Sequence, residues 1–319
     1  MTDMIDSPPP MSAEAALPDC LRVIGFPGAF LDWGVAMLRA QIEARGRAAE
    51  TVWLPLAEGV EIGPDAPVRL LVSCGPDYAV PDAALPTLVL LDDVAACITR
   101  QLADTADVVA VARAMTATLA TLGPVLRLPG TVLVRPDRLS AAAPQIAAAL
   151  RQDGLVEPAI PAPPAMPEGA LSGLAGDVCT QLLAPMLESV LSGVPQSYEL
   201  PWRCLSWRAQ EPAVPVMDLA GPARPLYFGP YFHFLPGAWT LELELFFSDD
   251  VGDASFAAEL FTGSIVSRGR MRPGRGGLFR AQIPVRVDTP EVTTEVRIWV
   301  ERGVIEGRMG LRRVVFRPR

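Results

Sequence analysis

The hydrophobic period of this chain changes once, near Tyr227, and that change limits what it can fold into more than any other feature. Downstream, Trp239–Phe247 places Leu241, Leu243, Leu245 and Phe247 on one face, with Glu242 and Glu244 opposite. Phe279–Val287 repeats the pattern with Phe279, Ala281, Ile283, Val285 and Val287, and Val292–Val300 with Val292, Thr294, Val296, Ile298 and Val300. A period of two, broken by Gly, Pro and Asp turns, marks antiparallel strands with one buried face. Upstream, five short apolar or β-branched runs (Leu21–Phe26, Thr51–Leu56, Val68–Cys74, Thr87–Leu91, Thr131–Val134) alternate with helical stretches at Leu31–Arg45, Val94–Leu122 (broken near Asp104) and Ser140–Arg151. Parallel strands covered on both faces read this way.

The fold class that follows is α/β plus all-β: a doubly wound parallel sheet, then an antiparallel β-sandwich of jelly-roll type. A length of 319 residues also favours two domains. Residues 1–19 read as a flexible leader and 20–156 as the α/β domain; 157–170, EPAIPAPPAMPEGA, follow as a Pro/Ala-rich linker. Residues 171–214 form a helical connector with a helix over Leu174–Leu191 stopped at Gly193, and 215–319 form the sandwich.

Absences narrow the chemistry. All 27 basic side chains are arginine, asparagine is missing, and His233 is the only histidine. Schiff-base lysine chemistry, a Walker-type lysine, N-glycosylation and a multi-histidine metal centre are therefore excluded, and no cofactor or metal is expected. The five cysteines are scattered without a C-x-x-C pair and read as reduced thiols. The first residues lack the basic and apolar regions of a signal peptide, and no stretch reads as a membrane span, so a cytoplasmic setting is expected. Net charge is −9, yet 13 arginines against five acids make Ser264–Arg319 locally +8. The acidic remainder argues against nucleic acid as a partner.

In an open parallel sheet, ligands bind beyond the carboxyl ends of the strands. There lie Gly25-Phe26-Pro27-Gly28, Ser73-Cys74-Gly75-Pro76-Asp77, Asp92-Asp93 and Arg135-Pro136-Asp137. Gly25, Pro27, Gly28, Asp92 and Asp93 are the candidates for a donor or anion site. Paired acids also suit a divalent cation, while the structural reading of Asp92-Asp93 is a helix N-cap before Val94. Cys74 reads as a structural thiol.

VIGFPGAFLDWGVAML resembles the phosphosulfate-binding turn of P-loop sulfotransferases through Gly25 and Pro27, and VLLDDVAACITRQL resembles their second donor motif through Asp93, Val94 and Ala95. The basic position of the turn is Gly28, its hydroxyl positions are apolar, Cys97 replaces a serine and the second motif's arginine is missing. The resemblance, over residues 20–150, implies a sulfotransferase-like layer with a degenerate donor site. In the second half, FGPYFHFLPGAW and ERGVIEGRMGLRRVVFRP resemble a C-terminal β-sandwich of uncharacterised alphaproteobacterial proteins, some associated with surface polysaccharide.

The aromatic cluster at Tyr227–Trp239 offers flat rings with polar edges, and Tyr231, His233 and Trp239 are the candidate sugar contacts; sandwich core is expected to claim at least half of the rings. Arg268, Arg270, Arg272, Arg275 and Arg280 form a basic patch suited to phosphate or an acidic glycan, or a solvated hairpin. Asp249, Asp250 and Asp253 read as turn residues. The expected function is a non-catalytic or accessory carbohydrate-binding protein in bacterial surface-glycan assembly. The alternatives are a sulfotransferase- or glycosyltransferase-like enzyme with an atypical donor site, and a protein-interaction module.

Overall fold

The computed structural model describes residues 18–54, 67–75, 85–151, 162–165, 167, 170–208, 211–212 and 215–319. Residues 1–17 of the expected leader, most of the expected linker, and Pro76 and Asp77 lie outside the described residues. The apolar runs of the first half form β1 (Cys20–Gly25), β2 (Ala49–Trp53), β3 (Val68–Ser73), β4 (Thr87–Leu90) and β5 (Thr131–Val134), all parallel, in the order β2-β3-β1-β4-β5. β1 and β4 are buried at every residue, which is why both lack polar alternation. Helices α1 (Ala29–Glu43) and α4 (Leu139–Ala149) share one cluster with a face of this sheet, and α2 (Val94–Asp104) and α3 (Val108–Leu126) cover the other.

Two glycines of the β1–α1 segment serve packing. A Cβ on Gly25 would stand 2.5 Å from the Leu90 carbonyl oxygen, and one on Gly34 would stand 2.2 Å from Leu90 Cδ1. Their bareness lets β1 and α1 close on β4.

α3 corrects one expectation. An 18-residue window of it has a mean hydropathy of 1.5, enough in length and composition to cross a membrane, where no stretch of that length was expected. In the fold it is a core helix: Met115, Leu119 and Leu122 are fully buried, and it touches β5, the connector helices and the sandwich. The connector runs as α5 (Gly173–Asp177), a π-helical stretch at Val178–Leu183 and α6 (Ala184–Ser192), ending at Gly193 in the left-handed conformation (φ 71°). Pro185 accounts for the widened stretch, because it lacks an N–H and its ring excludes the carbonyl four residues back.

The second half contributes β6 (Tyr198–Glu199), β7 (Ser206–Arg208), β8 (Glu211–Pro212), β9 (Met217–Asp218), β10 (Arg224–Tyr227), β11 (Pro230–Phe232), β12 (Gly237–Phe247), β13 (Phe256–Phe261), β14 (Ile265–Met271), β15 (Gly277–Val287), β16 (Thr294–Val300) and β17 (Arg308–Pro318). One sheet runs β10-β16-β13-β14 with β11 against β16; the facing sheet runs β15-β12-β17-β6 with β9 against β17. The chain crosses repeatedly between the two sheets, which face each other as a β-sandwich. Leu241, Leu243, Leu245, Ile283, Val285, Val296, Ile298 and Val300 point inward as their alternation requires. The sandwich also uses residues before 215, since β6 forms an edge of the second sheet and Tyr198 stacks on Phe316 with centroids 5.2 Å apart.

The sandwich core and the α2/α3 face of the parallel sheet belong to a single hydrophobic cluster, continuous from Ile24 through Leu119 and Leu182 to Trp239 and Val300. Polar bonds cross the same seam: Arg113 Nη2 donates to the Pro230 carbonyl at 3.0 Å, and His233 N donates to Thr116 Oγ1 at 3.3 Å.

Candidate functional site

The chain leaves β1 for the β2–β3 side of the sheet and later places β4 on its other side, so the crevice allowed by topology lies between the ends of β1 and β4. There the structure brings Gly25–Gly28 and Asp92-Asp93 together, and the protein's own groups occupy their chemistry. Gln101 Nε2 donates to the Pro27 carbonyl at 2.9 Å, and Cys97 Sγ lies 3.6 Å from the same oxygen. Gly28 is the N-cap of α1 without any side-chain cap. Asp93 caps α2, accepting from Ala96 N at 3.0 Å, which is the structural reading of the pair. Asp92 is buried and ion-paired with Arg100, whose Nη2 also donates to the Ala165 carbonyl at 2.7 Å. Burial pushes the Asp92 carboxyl above its usual range, and Arg100 pulls it back in part. Burial likewise pushes the Cys97 thiol up to about 12. Among the described residues no group of three His, Cys, Asp or Glu side chains converges as metal ligands would.

The aromatic candidates separate. Trp239 is 1% exposed, donates from Nε1 to the Leu235 carbonyl at 3.0 Å, and packs edge-on against Tyr198. His233 is 5% exposed, and its Nδ1 donates to the Pro290 carbonyl at 2.9 Å. Neither can offer a face to a ligand from outside, so both are corrected from sugar contacts to core residues. The signal was in the sequence: Trp239 has the parity of Leu241 and Leu243, hence the inward face of β12. Tyr231 alone of the three is exposed, at 43%, on a backbone with φ 64° that turns the ring outward. Its hydroxyl donates to Glu295 Oε1 at 3.3 Å, and the Arg113 guanidinium lies 6.0 Å from its ring centre.

The basic patch divides between two surfaces. Arg268 lies on the outer face of the first sheet, paired with Glu259 at 3.2 Å and Glu301 at 2.6 Å. Arg270, which shares Glu301 with Arg268, also borders, with Arg272 and Arg280, a groove of about 290 Å³ between β14 and β15, where the open edges of the two sheets meet. Met271 and Phe279 supply its apolar surface over the buried Phe247, and Gln282 joins the arginines. A Cβ on Gly269 would stand 2.7 Å from Ile283 Cγ1, so this glycine lets β14 approach β15 beneath the groove. Arg270 Nε is held by Glu301 at 3.1 Å and Arg280 Nε by Glu242 at 3.6 Å. Among the described residues, neither Arg272 nor Arg275 has an ion-pair partner; Arg275 sits in the connection between the two strands.

The arginines were legible in the sequence, whereas Gln282 and Met271 were not. Two strands from different sheets are needed to place these beside each other, and the inward parity of Phe247 and Phe279 was the available hint.

No family model matches this chain, and no curated protein matches it. Among solved structures it is similar to the K1 cleaved adhesin domain of Lys-gingipain from Porphyromonas gingivalis W83 (9% identity, TM-score 0.26, 39% of this chain and 82% of that one). It is also similar to the CBM36-1 domain of a multidomain xylanase from the hindgut metagenome of Trinervitermes trinervoides (12%, 0.27, 39% and 98%). A third is the C-terminal CBM6 of LamC, a laminarinase from Zobellia galactanivorans (12%, 0.22, 36% and 99%). At these scores none of the likenesses decides a ligand.

Proposed function

We propose that this is a non-catalytic carbohydrate-binding protein whose sandwich receives the sugar in the β14–β15 groove. The observation that carries the reading is the composition of that groove, an apolar surface of the half-buried Met271 and Phe279 over the buried Phe247, rimmed by Arg270, Arg272, Arg280 and Gln282. A pyranose presents apolar C–H faces and a polar edge, and such a lining answers both. Tyr231, held at positive φ on the far edge of the first sheet from β14, is a second exposed ring for an extended chain. A place in surface-glycan assembly is the setting implied by the resemblance of residues 215–319. Electrophoresis of the full chain through gels containing neutral or charged polysaccharides tests the reading. Retardation by at least one of them, lost in the Arg272→Ala/Gln282→Ala double variant at unchanged melting temperature, is expected. Equal mobility in every gel overturns it.

A further inference from the structure

The hydrogen-bonding side chains of the β14–β15 groove are unbalanced. Three of the four are guanidiniums, which only donate, and no aspartate or glutamate lines the space. Gln282 spends its amide N–H on Glu242 at 3.1 Å. A neutral sugar hydroxyl both donates and accepts, and among these four side chains only the Gln282 amide oxygen can take its proton. An anionic oxygen only accepts.

We propose, resting on the carbohydrate reading above, that the groove selects an acidic sugar, its carboxylate or sulfate ester seated by Arg272 with Arg270 and Arg280 beside it. Arg272 is exposed and has no ion-pair partner among the described residues, so no internal pair has to break for it to bind. Arg270 and Arg280 are restrained by Glu301 and Glu242, which orients them without removing the excess positive charge. Planar guanidinium groups match an oxyanion through two parallel N–H bonds.

Calorimetry on the full chain with oligogalacturonate, dextran sulfate and uncharged dextran tests the assignment and separates carboxylate from sulfate. Saturable binding of one or both charged glycans is expected, weakened by salt and reduced about tenfold or more by Arg272→Ala. Arg272→Lys, which keeps charge and loses the fork, should recover only part of it. Arg312→Ala, outside the groove, should leave binding unchanged. If dextran binds as well as the charged glycans and salt has no effect, the acidic class is wrong while the carbohydrate reading stands. If no glycan binds, both fall. Equal loss in Arg312→Ala and Arg272→Ala means diffuse attraction and overturns the groove. Salt-sensitive self-association abolished by Arg272→Ala, without glycan binding, makes the groove a protein interface and overturns the assignment as well.

Discussion

Trp239 and Tyr231 show how far a single side chain's role departs from its chemistry. Both are amphipathic rings, yet one completes the core and the other stands in water. Removing Trp239 leaves a cavity beside Tyr198, so Trp239→Ala should cost about 3–5 kcal/mol in urea unfolding, whereas Tyr231→Ala should cost less than about 1 kcal/mol. Equal costs would mean that Trp239 is not the core residue described above. Two residues of the turn after β1 teach the same lesson. Gly25 and Pro27 matched a phosphate-binding motif by identity, while the structure gives Gly25 to the Leu90 carbonyl and the Pro27 carbonyl to Gln101. Identity in the sequence was legible; what each atom touches depends on β4 and α2, more than 60 residues away.

Elements were legible where the period was long and clean. β5 falls at Thr131–Val134 as expected, and α2 and α3 divide near Asp104, with Asp107 capping the second. The π-helical stretch in the connector was not, because a helical period looks the same through a local widening. Nor was the lateral network across β12, β15 and β17, where Glu242 accepts from Arg317 Nε at 3.2 Å and from Gln282 Nε2 at 3.1 Å. The bond from Arg317 above all, then that from Gln282, holds Glu242 below the usual 4.5, and the Ser255 hydroxyl, then Arg268 and Arg270, do so for Glu301. A depressed folded value makes the contribution complete above the unfolded value and lost as pH falls through the folded one. Unfolding free energy should therefore be level above about pH 5 and decline below about pH 4.5. Glu242→Gln, which removes one titrating group, should make that decline shallower; an unchanged slope would show that Glu242 does not carry it.

At the scale of the whole molecule, two periods in the sequence suggested two bodies, and the structure joins them through a common interior. Periodicity identifies which residues are buried within a layer but not which layer meets which, so the seam formed by α3, α6, β11 and Trp239 was hidden. Calorimetry should record a single cooperative transition rather than two separated ones; resolved transitions would show that the seam is weak. The placement of β6 bears on how this sandwich is transplanted to another protein. Lifted out at residue 215, it would lose an edge strand and bare Phe234 and Phe316, which Tyr198 now covers. A portable version has to begin upstream of Tyr198, and the helices that shelter Leu182 and Leu183 travel with it.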